Sequence, residues 1–448
     1  MANSSTYIHR TFTAGNRKKF THSVWFKRAR LTHGYEKIMQ GRQSNDNQDS
    51  SITFDPTDNI RFESWHNSAY TGGKLVTTRK FRDTSAWYHL VCVVDTANAT
   101  AADRLIMYVN GVRETSFSTN TTCTQNTDWW MNDAGADDYI GCHSGAQDSG
   151  CFTGKFSHMH FCDGYAYSAS DFGETDATTG IWKIKTSPSV SYGTNGFFMK
   201  FEDSSNMDLD SSGNNLSFTT TGTLTATKDN PSNNFATLNP SDRRVGGTAP
   251  TFINGNNTWT ASSNSSSNGG TRGTLGTSSG KYYFEAKATT ASMLCCGMQL
   301  DSINARWNAN GSVSNETGFY GIEADGTKKV AGASTSSVFT ALSNNDIIGL
   351  AFDLDNNKFW ASVNGTWVAS GNPTTGANSL GTLASGTYLP AVSSVGWSTA
   401  SSAQFNFGNG YFGTTAVTSA GTNASGNGTF EYDVPTGFTA LCTKGINS

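Results

Sequence analysis

Charge is scarce in this chain. Asp, Glu, Lys and Arg make up 15% of its 448 residues, against about 25% in an ordinary soluble domain. The net charge of −4 and the lack of a basic stripe exclude a protein that holds nucleic acid electrostatically. One basic cluster exists, Arg17-Lys-Lys19 followed by Lys27, Arg28 and Arg30; it flanks an expected strand and reads as a solvated, charge-protected edge. No stretch approaches the ~18 apolar residues of a membrane span, so no membrane insertion is expected. The opening Met-Ala-Asn-Ser-Ser-Thr leads into no apolar signal-peptide core, so synthesis in the cytoplasm is expected. The eight cysteines form no Cys-x-x-Cys pair and no zinc spacing. Cys92 and Cys162 lie in apolar patterns and read as small buried hydrophobes. Adjacent Cys295 and Cys296 face opposite sides of a strand. Cys142 and Cys151 flank a loop and could bridge it, with reduced thiols as the default. Helical periodicity is almost absent. So are Gly-x-Ser-x-Gly, P-loop and His-Glu-x-x-His motifs.

Gly, Ser, Thr and Asn fill the place of the missing charge, a composition that suits extracellular or virion β-proteins. Two stretches end a strand in the same way, Arg104-Leu-Ile-Met-Tyr-Val-Asn-Gly111 and Asn357-Lys-Phe-Trp-Ala-Ser-Val-Asn-Gly365. In each, alternating apolar residues run into Asn-Gly, whose two turn positions accept φ > 0. The device in both halves predicts an all-β chain of two tandem antiparallel β-sandwich (jelly-roll) domains. The expected boundaries are 1–240 (including a polar, turn-rich connector at 171–240), 241–410, and a C-terminal tail at 411–448. Ser23–Lys27, Trp87–Val94, Tyr139–Gly141 and Gly154–Phe161 read as strands of the first domain. Ser170 is a candidate cap for a short helix over 170–174. Residues 196–219 are expected to fold back and add a strand to the first sandwich.

The second strand series resembles a SPRY domain. Gly280-Lys-Tyr-Tyr-Phe-Glu285, Gly318-Phe-Tyr-Gly321, Asn345–Asp355, the Phe-Trp strand into Val363-Asn-Gly365, Leu389-Pro-Ala-Val392 and Phe405-Asn-Phe-Gly408 occur in the family order over about 130 residues. The resemblance implies a bent sandwich that binds protein or peptide through loops. The first series resembles concanavalin-A-like, laminin-G-type sandwiches, through Ser23–Lys27, Trp87-Tyr-His89, Leu105–Gly111 and Tyr139–Gly141. The linker (Ser170–Asp176, Gly180-Ile-Trp-Lys183, Tyr192–Phe197, Asp210–Asn215, Asn233–Pro240) followed by a SPRY-like domain is similar to structural proteins of tailed bacteriophages, marine ones especially. That resemblance implies a virion location, other virion proteins as partners, and a homo-oligomer; a trimer is a guess. The ending Val434-Pro-Thr-Gly437 departs from the Pro-Pro-Gly-Phe close associated with that group.

No catalytic residue is expected. Glucanases on the concanavalin-like sandwich set acids along one strand face as Glu-x-Asp-x-(x)-Glu. Glu323-Ala-Asp325 has no third acid, and Asp353-Leu-Asp355 reads as a hairpin pair. His158 and His160 share a strand face without an acidic cluster nearby and read as satisfied histidines. For ligand binding the candidates are loop aromatics: Trp65, Tyr70, Trp129, Trp130, Trp307 and Trp367, with Trp397 beside them. Each can stack on a sugar or anchor a protein, and each can equally fill a sandwich core. Asp203, Asp208, Asp210 and Asn214 offer hard oxygen donors on a short loop, as a structural Ca²⁺ would need; acidic residues are also simply good turn formers. Asn45–Asp49 and Asn132–Asp138 are further acidic loops. No other cofactor is expected. The reading is a non-enzymatic virion surface protein, a tail appendage or fibre component, binding host-surface glycan or receptor through sandwich loops. The alternatives are a decoration or scaffold protein that binds other virion subunits, and a polysaccharide-degrading glycosidase. Segments 1–20 and 409–448, apolar without a strand pattern, are expected to anchor to neighbours.

Overall fold

The structure is a computed structural model; it describes residues 6–42, 48–67, 69–143, 150–243, 249–262, 269–302, 313–396 and 399–447. The described residues form β-sheets whose strands pair antiparallel, apart from the parallel contact of Thr439–Ala440 with Lys281–Thr290, with short 3₁₀ turns and one four-residue helix, Thr443–Ile446. It divides into two compact units, 1–226 and 227–448. The expected connector is therefore shared, and the expected tail lies within the second unit.

Among the described residues, the first unit has an eight-stranded and a six-stranded sheet. The large sheet runs, in spatial order, Phe117–Thr121, Lys74–Thr77, Ile60–His66, Gln48–Phe54, Glu36–Arg42, Asp137–Ile140, Tyr7–Thr11, Thr219–Thr221. The small sheet runs Phe197–Met199, Gly154–Asp163, Lys19–Arg28, Tyr88–Asp95, Leu105–Val109, Val112–Arg113. Period-2 patterning fixes what each strand buries. Ile60 and Phe62 meet Ile52 and Phe54 from the next strand, and Phe20, Val24 and Phe26 close the core from the opposite sheet. The Asn-Gly hairpin forms as its sequence requires: Asn110 and Gly111 have φ of 48° and 82° and join Leu105–Val109 to Val112–Arg113.

Residues 196–219 complete both sheets. Phe197–Met199 pairs with Gly154–Asp163 and sends Phe197 and Met199 into the core, and Thr219–Thr221 pairs with Tyr7–Thr11. Upstream, residues 165–192 lie across the outer face of the small sheet. Phe172, Tyr167, Trp182 and Tyr192 cover Val91, Val93 and Cys162, and Trp182 Nε1–H donates to His89 Nδ1 at 3.0 Å. A sequence that looks like polar connector is thus a cover, because its few aromatics are spaced to reach the sheet. The turn at Ala169–Asp171 is capped by Ser168 rather than Ser170, through bonds from its N–H and hydroxyl to Asp171. His158 sits in a bulge with φ of 45°, and His160 Nδ1 lies 3.0 Å from the Tyr192 hydroxyl.

The basic cluster is not a solvated edge throughout. Lys27 and Arg28 are buried. Arg28 donates to Asp58 Oδ1 (2.9 Å), Phe81 O (2.9 Å) and Glu36 Oε2 (3.1 Å), and lies 4.2 Å over the Phe54 ring. Two buried acids hold that cation in place. Cys142 and Cys151 are joined by a disulfide, correcting the default of reduced thiols there; the other six cysteines are free and buried.

In the second unit a seven-stranded sheet runs Leu238–Arg243, Thr271–Gly273, Tyr388–Ser394, Leu294–Leu300, Phe319–Glu323, Lys328–Val330, Ala333–Thr335. A nine-stranded sheet faces it, centred on Ser401–Asn406, Lys281–Thr290, Ile347–Asp353 and Lys358–Val363. The C-terminal segment is folded onto its own unit, where Phe430, Val434, Phe438 and Ala440 pack with Tyr283 and Trp360. Glu285 clamps it by accepting from the Glu431 and Tyr432 N–H groups at 2.9 Å each. Likewise Tyr7–Thr11 is a sheet strand. Among the described residues, then, both segments supply strand pairing or core side chains to their own units, where the sequence showed no strand pattern.

Candidate functional site

The candidate site is the outward face of the large sheet in the first unit. Strand pairing places one row of side chains across it: His9, Tyr139, Gln40, Ser51, Glu63 and Lys74 are successive cross-strand partners. A second row is Thr11, Asp137, Arg42, Asp49 and Trp65. Alternation along each strand holds these residues on the side opposite the core. In Ile60–His66 the residues Arg61, Glu63 and Trp65 face outward, while Ile60, Phe62 and Ser64 are buried.

Two of the sequence candidates meet here. The Trp65 and Tyr70 rings are 4.4 Å apart, edge to face. Lys74 Nζ lies 4.1 Å over the Tyr70 ring, and Arg61 lies 5.0 Å over the exposed Tyr35. Glu63 binds both cations, Arg61 at 2.7 Å and Lys74 at 3.3 Å. Trp130, another candidate, lies at the other side of that strand, with Ser50 and His66: its Nε1–H donates to the Trp65 backbone O at 3.1 Å, and Arg17 stacks on its ring at 4.8 Å. His66 lies 5.2 Å from Trp130, its pKa lowered by burial and then by Arg17. Its Nε2 meets Ser64 Oγ, which meets Ser50 Oγ, and Ser50 Oγ accepts the Trp130 N–H. A smaller ring cluster lies toward the other edge, where His9 stacks on Tyr139 at 5.5 Å with Tyr7 beside both.

The remaining aromatic candidates are elsewhere. Trp129 is fully buried against Phe20 and Phe62. The chain bends at Trp130 and turns at Met131, which leaves Trp129 and Met131 in the core and Trp130 half-buried outside it. Trp367 packs against the cluster formed by the C-terminal segment. Trp307 and Trp397 lie outside the described residues.

Residues 3–171 match the family described as the concanavalin A-like lectin/glucanases superfamily, of laminin-G type. No curated protein matches the chain. Solved structures similar to part of it include the SPRY domain of human HERC1 (13% identity, 38% of this chain, 96% of that one, TM-score 0.28). A native heptameric SAP-like pentraxin from Limulus polyphemus matches at 16% identity, over 37% and 78%, with TM-score 0.28. The TRIM65 PSpry domain matches at 10% identity, over 38% and 91%, with TM-score 0.28.

The four oxygen donors proposed for a cation are dispersed among other tasks. Asp210 is buried and accepts from the N–H groups of Phe198, Ser212 and Leu216 and from the Ser212 hydroxyl. Asp203 caps a turn at Ser205, Asp208 accepts from Thr220, and Asn214 donates to Gly193 O and Gly196 O. Their common role is to tie the 196–219 segment down. Among the described residues no group of three or more His, Cys, Asp or Glu is placed to hold a metal ion. Sequence reading missed Tyr35, Arg61, Glu63, Lys74 and the His9–Tyr139 pair. The signal was there in Ile60–His66, whose two charged residues, Arg61 and Glu63, share one parity with Trp65.

Proposed function

We propose that the chain is a non-enzymatic virion surface protein whose first unit binds glycan on the host surface. One observation carries the reading: the paired rings of Trp65 and Tyr70 lie on the outward face of the sheet, edged by Arg61, Glu63 and Lys74. Rings offer a face for stacking on a sugar, and the charged groups beside them can bond its hydroxyls. The family match supports carbohydrate binding as the class of function. The virion location rests on the resemblance to tailed-phage structural proteins, and a homo-oligomer on the symmetry usual in virions. Asp49 and Glu63 share the face with the rings, which raises glycan cleavage as the competing reading. Glu63 is committed to two cations and Asp49 accepts from Gln40, which favours binding over cleavage, since cleavage needs a pair of carboxyl groups free to flank the glycosidic bond.

The test is binding of the full-length protein to a panel of bacterial surface polysaccharides and to host cells. Each ring is worth about 0.5–1.5 kcal/mol, so Trp65→Ala and Tyr70→Ala should each weaken binding up to about tenfold, with unchanged circular dichroism. Release of reducing ends, or retention that ignores both substitutions, refutes the proposal.

A further inference from the structure

The outward face of the seven-stranded sheet in the second unit carries a buried lysine. Lys329 is 2% exposed, and its cross-strand neighbours are Gly321 and Ser334. Gly321 has no side chain to occupy the space beside it, and a Cβ there would come within 2.7 Å of Gly297 Cα. On the same face Cys295, Val313, Phe319 and Ala391 form an apolar cluster. Lys329 Nζ donates to Asn315 Oδ1 at 2.9 Å and to Ser334 Oγ at 2.8 Å. The Glu323 carboxylate, also buried, is 3.6 Å away.

The order of these distances matters. A charge-assisted lysine–carboxylate bond settles at about 2.7–2.9 Å; here the short contacts go to neutral oxygens and the carboxylate stands back. An amine, a carboxamide and a proton acceptor therefore converge, with the amine against the amide and the acid beside it. We propose that Lys329 and Asn315 become joined by an isopeptide bond, with Glu323 carrying the protons. The Lys329 ammonium gives a proton to Glu323, and the freed Nζ lone pair attacks Asn315 Cγ, which adjoins the oxygen it already touches. The Nζ–Cγ bond forms and the Cγ–Nδ2 bond breaks. Glu323 passes this proton, and then the second one lost from Nζ, to the departing nitrogen, which leaves as ammonium. A primary amide and an ammonium become a secondary amide and an ammonium, with no oxidant, reductant or added reactant. Asn315 is the exposed member of the three, which gives the leaving group its exit. The buried Lys329 amine keeps water from the attacking position.

Intact-mass measurement of the reduced full-length protein, with peptide mapping, tests this. The expected mass is one ammonia below that of the sequence, with Asn315 and Lys329 recovered in one branched peptide. Lys329→Arg and Asn315→Ala should each restore the full mass. Glu323→Gln should leave the link unformed, or slow its formation by at least tenfold. Full sequence mass in the unsubstituted protein overturns the proposal. So does a deficit that maps to an Asn-Gly succinimide such as Asn254-Gly255, with Asn315 and Lys329 in separate peptides. The unsubstituted protein's map decides the matter even where a variant fails to fold.

Discussion

Asp138 should make the first unit less stable as pH rises, and Asp138→Asn should remove that loss. The residue sits on Asp137–Ile140 with its side chain turned inward, 2% exposed. Its cross-strand neighbour Gly41 leaves the space it fills, since a Cβ there would lie 2.6 Å from Asp138 Oδ1. Oδ2 accepts one long bond from the Asn132 N–H at 3.4 Å, and Oδ1 has no hydrogen-bond partner. Arg10, its neighbour on the other side, is turned to Ser217 O and the Phe218 ring. Burial first, and the repulsion of Asp137 and Asp133 as a smaller term, hold its pKa well above the ordinary 3.8, although the Asn132 bond opposes them. The folded state thus keeps the proton longer than the unfolded one. The stability this group contributes is complete below pH 3.8 and is lost as pH climbs through the folded value. Within that window each pH unit costs about 1.4 kcal/mol, or about 3–6 °C in Tm for a unit of this size. Asn has the shape of the protonated acid and does not titrate. Denaturant melts of both proteins should nearly coincide at pH 4 and differ at pH 7, the variant being the more stable there. A constant gap across that range, or a variant less stable at pH 7, would refute the reasoning.

Truncation to residues 1–175 should abolish cooperative melting of the first unit by calorimetry, because it removes Phe197 and Met199 from the core and the strands that finish both sheets; a sharp transition in the fragment would show those strands to be dispensable. Adjacent tryptophans should separate in effect: Trp129→Ala should cost about 3–5 kcal/mol in denaturant melts, and Trp130→Ala only about 1 kcal/mol. Equal losses for the two would remove the inward–outward assignment.

Much of the fold was legible because it depends on local rules. Asn110-Gly111 and Asn364-Gly365 both take positive φ at the two turn positions and close the hairpins their flanking alternation requires. The Asp210-Ser-Ser-Gly-Asn214 element signalled a segment that folds back, and Asp210 organises that segment with four bonds. Long-range closure was less legible. Residues 165–192 cover a sheet whose second face reads, in Trp87–Val94, as simply apolar; nothing local says which segment will lie on it. The C-terminal segment looked like a tail because its docking depends on Glu285 and Tyr283, more than 140 residues earlier in the chain.

The candidate face was half visible for the same reason. Single rings could be named from sequence, but not which side of a sheet they occupy. Within Asp128–Met131 one tryptophan enters the core and the other stays outside it, and no local pattern decides which. The residues that turn rings into a site are set by cross-strand pairing: Glu63 meets Lys74 because Ile60–His66 pairs with Lys74–Thr77 in that register. One residue of slip would exchange the Arg61, Glu63, Trp65 row for Ile60, Phe62 and Ser64. The buried row therefore enforces the exposed one. Hydrocarbon packing of Phe62 on Trp129 is what keeps Trp65 on the outward side, and a face with no core contacts of its own is specified by the core behind it.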